Sequence, residues 1–131
     1  MEIRFIWKEE YSVGVEEIDK QHQRFFQILE ELYRAVLENQ TKKQKGKIFQ
    51  DLEDYVSVHF KTEEKYFDLF HYEEAEEHEA EHDKFMAKME EFKKKEDVSF
   101  GLLDFLEDWL VNHLASVDQR YVECFKKNGL K

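Results

Sequence analysis

Not one proline interrupts the 131 residues of this chain, so nothing in it forces a helix to break. Against that background, apolar residues return at alternating steps of three and four in four long stretches. Residues 17–38 carry Ile18, His22, Phe25, Leu29, Leu32 and Val36 on one stripe. Residues 42–70 carry Ile48, Leu52, Tyr55, His59, Thr62 and Tyr66. Residues 74–94 carry Ala75, His78, His82, Phe85, Met89 and Phe92, and residues 100–126 carry Leu103, Leu106, Leu110, His113, Val117, Tyr121 and Cys124. Each stripe is the inward face of an amphipathic helix. The connections at 39–41, 70–73 and 95–99 are short, which makes consecutive helices antiparallel. Thr41 and Ser99 are of the residue type that caps a helix N-terminus. The pattern predicts an all-α protein, an up-down-up-down four-helix bundle formed by a single domain over residues 1–131. Residues 1–16 lack the period and are expected to form an extended arm, offering Phe5, Ile6, Trp7, Val13 and Val15 to the bundle.

The formal net charge of −11 repels nucleic acid and anionic membrane surfaces alike, so neither is an expected partner. No apolar run approaches bilayer length and no signal-peptide pattern opens the chain. A soluble, cytoplasmic protein is therefore expected. A single cysteine, Cys124, excludes an internal disulfide and a cysteine-ligated iron–sulfur cluster. It is expected to be a small buried apolar residue.

Five of the six histidines (His22, His59, His78, His82 and His113) fall on the inward stripes, spread over all four helices. Each buried imidazole needs a polar partner, and a metal centre supplies one directly. With antiparallel neighbours, all five lie within roughly 5–20 Å of one end of the bundle at about 1.5 Å per residue, so they can converge. Glu63 is one turn from His59 on the same face. Asp118 is five residues from His113, about 140° around a regular helix, so it has to reach across from beside that histidine. The stretch EEAEEHEAEHD at 73–83 divides by face. His78 and His82 turn inward, Glu74 is in line with His78, and Glu76, Glu77, Glu79 and Glu81 face solvent or flank the helix. The ferritin-like arrangement, with Glu-x-x-His on two helices, is disfavoured because Glu79 to His82 is the only such pair and Glu79 points away from the stripe.

With these residues assembled, the chain resembles the hemerythrin family, in particular the single-domain bacterial hemerythrins (bacteriohemerythrins). The resemblance rests on DKQH at 19–22, HFKTE at 59–63, HEAEH at 78–82 and DWLVNHLASVD at 108–118, in that order, and it covers nearly the whole chain. One departure is Ala115, where relatives often carry proline; no effect on the metals is expected. The resemblance implies two iron ions in a non-haem, oxo- or hydroxo-bridged centre. One would take His78, His82 and His113, the other His22 and His59, and Glu63 and Asp118 would bridge both. Two octahedral ions offer about twelve positions, and these donors with the oxygen bridge fill all but one, on the iron with two histidines. That position would take O2 reversibly, in a carrier, store or supplier rather than an enzyme, with O2 the ligand and a protein that receives O2 the candidate partner. Phe60, Trp109, Leu110 and Leu114 are expected to line the O2 pocket. Asp19 and the glutamates near His78 and His82 are candidates to accept hydrogen bonds from the ligand imidazoles, and His71 is expected on the surface. Other readings of the same centre are an oxygen or redox sensor, an iron-handling module, or an enzyme that reduces peroxide, NO or O2. Manganese, zinc or cobalt would also accept this donor set.

Overall fold

Three turns and a pair of caps set the lengths of the helical rods. The computed structural model describes residues 4–131, the Ala115 side chain excepted, so the first three residues of the arm and the Ala115 substitution lie outside the described residues. The first rod, α1, is Glu16–Leu37, α2 is Lys42–Phe70 and α3 is Ala75–Lys94. The fourth begins as α4, Phe100–Trp109, continues as a π-helical segment, Leu110–Val117, and a 3₁₀ turn, Asp118–Tyr121, and ends as α5, Val122–Lys127. The result is a four-helix bundle, with α1 packed on α2 and α4, and α3 on α2. Thr41 opens α2 with a capping box: its hydroxyl accepts from the Gln44 N–H at 3.1 Å while the Gln44 side chain accepts from the Thr41 N–H at 3.0 Å. Ser99 accepts from the Gly101 N–H at 3.3 Å to open α4. Among the described residues no helix is long and apolar enough to cross a membrane.

Two apolar clusters fill the bundle, one on each side of a polar layer. The larger contains Phe25, Leu29, Leu32, Phe49, Leu52, Phe85, Leu103 and Leu106, and the smaller contains Ile18, Phe67, Tyr72, Tyr121 and Phe125. The N-terminal arm joins both: Phe5 is buried in the larger, Val13 and Val15 in the smaller. Ile6, expected to pack, is exposed instead, and the arm contains one 3₁₀ turn, Glu9–Tyr11. The buried face of α2 is Phe49, Leu52, Val56, His59, Phe60, Glu63 and Phe67. It lies one residue on from the column read in the sequence, and Ile48, Tyr55, Thr62 and Tyr66 sit half-buried at its edge, because a helix wedged between two neighbours buries a broader stripe than one column. Past the π segment the inward place goes to Phe125, and Cys124 is half-buried and unpaired.

The three corners turn on left-handed residues that are not glycine: Asn39, His71 and Glu96, with φ of 51°, 52° and 51°. His71 is exposed and ends α2, its N–H donating to the Phe67 carbonyl. A side chain in this conformation costs on the order of 1–2 kcal/mol that glycine avoids, less the larger entropy glycine loses on folding. His71→Gly should therefore raise the unfolding free energy by about 0.5–1 kcal/mol, read as a higher urea midpoint at unchanged slope; an unchanged or lower midpoint contradicts this account of the corner.

Candidate metal centre

Between the two apolar clusters lie seven polar side chains that water does not reach. His22 comes from α1, His59 and Glu63 from α2, His78 and His82 from α3, and His113 and Asp118 from the fourth rod, and none is more than 5% exposed. Their functional atoms converge. Asp118 lies 3.3 Å from His22 Nε2, 2.9 Å from His78 Nε2 and 2.8 Å from His113 Nε2. Glu63 lies 3.4 Å from His59 Nε2, 3.7 Å from His78 Nε2 and 3.1 Å from His82 Nε2. Both carboxylates thus stand between the trio His78, His82, His113 and the pair His22, His59. Two groups of four, Glu63 with the trio and Glu63 with Asp118 and the pair, each bring their ligand atoms within 4.8 Å of one another and could hold a metal ion. Nε2 of His78, His82 and His113, both oxygens of Glu63 and Oδ1 of Asp118 are buried with no hydrogen-bond partner. Leaving so many polar atoms unmatched would be costly, and a cation held among them removes that cost, so the donor set fits a metal.

The fourth rod solves the spacing problem at Asp118. In a regular helix it would point about 140° away from His113. The π segment winds more widely, and the Asp118 N–H donates to the His113 carbonyl five residues back. Residues five apart are thereby stacked, and the two side chains meet.

Hydrogen bonds behind the imidazoles orient two of them. His59 Nδ1 lies 2.7 Å from Gln21 Oε1, and Gln21 Nε2 donates in turn to Thr62 Oγ1 at 3.1 Å. His82 Nδ1 lies 2.9 Å from Glu64 Oε2. Each places the proton on Nδ1 and leaves Nε2 free to ligate. Neither Gln21 nor Glu64 stood out in the sequence, since both sit just off the inward stripes; their only signal is adjacency to His22 and Glu63. Of the glutamates near His78 and His82, Glu81 approaches His113 Nδ1 at 3.6 Å. Asp19 touches no imidazole: its carboxylate accepts from the Val13 N–H at 2.8 Å and from the Ser12 hydroxyl, and so ties the arm to α1. His71 is at the exposed corner described above, away from the site, and Glu74 accepts from the Tyr72 hydroxyl at 2.9 Å rather than joining the seven.

A small cavity touches His22 and His59. It is lined as well by Phe25, Tyr55, Val56, Phe60, Trp109, His113, Leu114 and Asp118, and it offers about 10 Å³ to the centre of a water-sized sphere, room for about one small molecule. Phe60 stacks on His82 at 3.7 Å and Trp109 on His113 at 3.9 Å, so these two rings both wall the cavity and clamp imidazoles. Leu110 is buried in the larger apolar cluster but does not border this cavity. Phe25 and Tyr55 do, and both were on the inward stripes within a turn of a histidine.

Electrostatics divide the imidazoles in the metal-free chain. Burial lowers His59 to about 4, with the neighbouring charge on Glu63 opposing, so His59 is neutral at pH 7. Burial also pushes His78 down, but the adjacent carboxylates of Asp118 and Glu63 outweigh it and hold His78 up to about 10. Burial likewise pushes Glu63 and Asp118 up, and the imidazoles around them outweigh it, so both stay below the usual carboxylate range. His78 therefore keeps its proton until the pH rises through about 10, and ligation requires the neutral ring. Loading metal at pH 8 should release about one proton per chain from His78, measured with an indicator dye in weak buffer; loading without proton release contradicts this assignment.

The model of the hemerythrin HHE cation binding domain matches residues 13–125. The chain is similar to a bacteriohemerythrin of Clostridium acetobutylicum, 31% identical over 129 residues that cover 91% of this chain and 99% of that protein. It is similar to another from Methylococcus capsulatus, 32% identical over 120 residues, 88% of this chain and 91% of that one. Among solved structures it is similar to wild-type hemerythrin, with a TM-score of 0.85 and 31% identity over 91% of this chain and 95% of the other. A hemerythrin mutant gives a TM-score of 0.88 at 29% identity over 94% and 98%. With matched sequence, bundle and buried histidine–carboxylate layer, this chain belongs to the hemerythrin family, whose members bind non-haem iron.

Proposed function

We propose that this chain binds O2 reversibly at two iron ions, to carry, store or supply it. In this reading His78, His82 and His113 would hold one iron and His22 and His59 the other, with Glu63 and Asp118 available to both. The observation that carries the reading is an asymmetry: the one-molecule cavity is lined by both His22 and His59 but only by His113 of the trio, so it opens toward the side with fewer histidines. Bound in the reduced state, two irons would supply the electrons needed to hold O2 as a ligand. The protein's part is to position and to protect. Gln21 and Glu64 keep two imidazoles facing the metals, and the stacked Phe60 and Trp109 rings keep two from turning.

Reversibility needs a dry cavity with no acid ready to protonate the bound gas. Four of its walls are Phe25, Val56, Phe60 and Leu114, and its one carboxylate is Asp118, a proposed ligand. The Tyr55 hydroxyl is spoken for as a donor to the Gln21 carbonyl, and burial, with the charges of Glu63 and Asp118, holds its proton well above the ordinary tyrosine range. Such a wall favours binding over reduction, in keeping with an O2-binding protein rather than an enzyme.

Purified chain should contain two irons and show an optical spectrum that reverses over cycles of O2 addition and removal; steady consumption of O2 instead would overturn the reading. His82→Ala should lose bound iron, and Glu64→Ala, which only frees His82 Nδ1, should weaken iron binding about 10–100-fold, by titration against a competing chelator. Leu114→Ala opens the apolar wall and should shorten the life of the oxygenated spectrum.

A further inference from the structure

The acidic run at 73–83 has a second use that the bundle itself does not require. Where α3 meets the fourth rod there is a surface funnel of about 200 Å³, measured as for the smaller cavity. Tyr72 and Glu74, just before α3, and Glu77 and Glu81 on it line one side, Val117 and Arg120 the other, and His78 lies at its floor. Three carboxylates face one guanidinium there. Among the described residues, His78 is the single member of the seven-residue layer that also lines this funnel. It is 2% exposed, and its Nδ1 has no hydrogen-bond partner, whereas Nδ1 of His59 and of His82 are held by Gln21 and Glu64. Glu81 adds a link inward, its Oε2 lying 3.6 Å from His113 Nδ1.

We propose that this acidic funnel is the route by which a divalent cation is drawn from solvent and passed to the buried layer, with His78 as the first imidazole to receive it. The proposal rests on the metal-binding reading of that layer. A hydrated divalent ion resists losing its water to an apolar passage. The cavity beside His22 and His59 has mostly apolar and aromatic walls and room for about one small molecule, so it suits a neutral gas and not an ion. In the funnel, carboxylate oxygens replace water molecules stepwise, and a mouth where three carboxylates outnumber one guanidinium raises the local cation concentration and the capture rate. His78 is the one imidazole of the layer that the funnel reaches, and it is untethered at Nδ1. The gas and the metal thus reach opposite faces of the centre by separate paths.

The test is the rate of loading and not the activity of the loaded protein. Metal-stripped chain is mixed anaerobically with Co²⁺ in low salt, and the growth of the visible absorption is followed by stopped flow, with final metal content assayed. Glu74→Gln/Glu77→Gln removes two carboxylates from the funnel. Glu73→Gln/Glu76→Gln makes the same change of net charge on neighbouring residues that do not line it. The funnel pair should load on the order of tenfold more slowly and with a weaker dependence on salt, the control pair within about twofold of the parent, and all three should reach the same final content. Equal rates for the two pairs overturn the route while leaving the metal site standing. A parent chain that takes up no cobalt or iron overturns the metal reading, and the route with it.

Discussion

Two carboxylates buried at the centre of an apolar bundle, Glu63 and Asp118, are the constraint to which the rest of the structure answers. Neither reaches water, and an ionised carboxylate in such a place is tenable only when it is surrounded by partners. Five imidazoles from all four rods provide them. The charges on Glu63 and Asp118 in turn hold His78 protonated in the metal-free chain, so the layer is partly self-neutralising before any metal arrives. Even so, it leaves both Glu63 oxygens and three Nε2 atoms unmatched. A bundle selected for stability alone would fill this layer with leucine. The cost of keeping it polar is what marks it as a site.

The two apolar clusters on either side explain how a marginal polar layer persists. They pack the rods above and below it, so its geometry is set by helices whose stability comes from elsewhere. The aromatic side chains at the boundary belong to both parts: Phe60 and Trp109 are core by area and imidazole clamps by contact. The N-terminal arm contributes to the same end, since Val13 and Val15 close the smaller cluster and Asp19 fastens the arm in place. The layer is also asymmetric across the bundle, with an apolar cavity on the face of His22 and His59 and an acidic funnel on the face of His78. In the proposed reading, that asymmetry would separate a neutral ligand from a charged one by wall chemistry alone.

Periodicity exposed most of the layer because an imidazole in an apolar column is conspicuous. His22, His59, His78, His82 and His113 stand on stripes otherwise made, Thr62 apart, of apolar and aromatic residues, and helical spacing carries them inward together. Glu63 was visible for the same reason, one turn from His59. Gln21 and Glu64 were not, and Glu81 only as one of several glutamates near His78 and His82, because they act sideways, from positions just off the stripes, on imidazoles of a neighbouring helix or of their own layer. Which off-stripe polar residue meets an imidazole depends on how two helices are rotated against each other, a quantity with no one-dimensional trace. The one-residue shift of the α2 face and the position of Leu110 outside the small cavity have the same origin. Glu76, Glu77, Glu79 and Glu81 stay off the ligand stripe and Glu74, in line with His78, does not join the layer, but the funnel that Glu74, Glu77 and Glu81 line requires the fourth rod opposite.

The amino-acid sequence by itself determined the class of fold and the chemistry at its centre. Absent prolines and four apolar stripes leave a helical bundle as the way to bury them, and inward histidines with nearby acids require a polar layer there. Only the tertiary structure decided how Asp118 joins that layer. Five residues from His113, it is misplaced on any regular helix, and no local propensity announces the change of winding. The π segment over Leu110–Val117 brings the two together. Such a segment has poorer local packing than an α-helix and is rare for that reason, so it persists where other contacts demand it. Here they come from α1 and α3: Asp118 meets His22 and His78 as well as His113, and those partners are brought to it by the assembled bundle, not by its own stretch of chain.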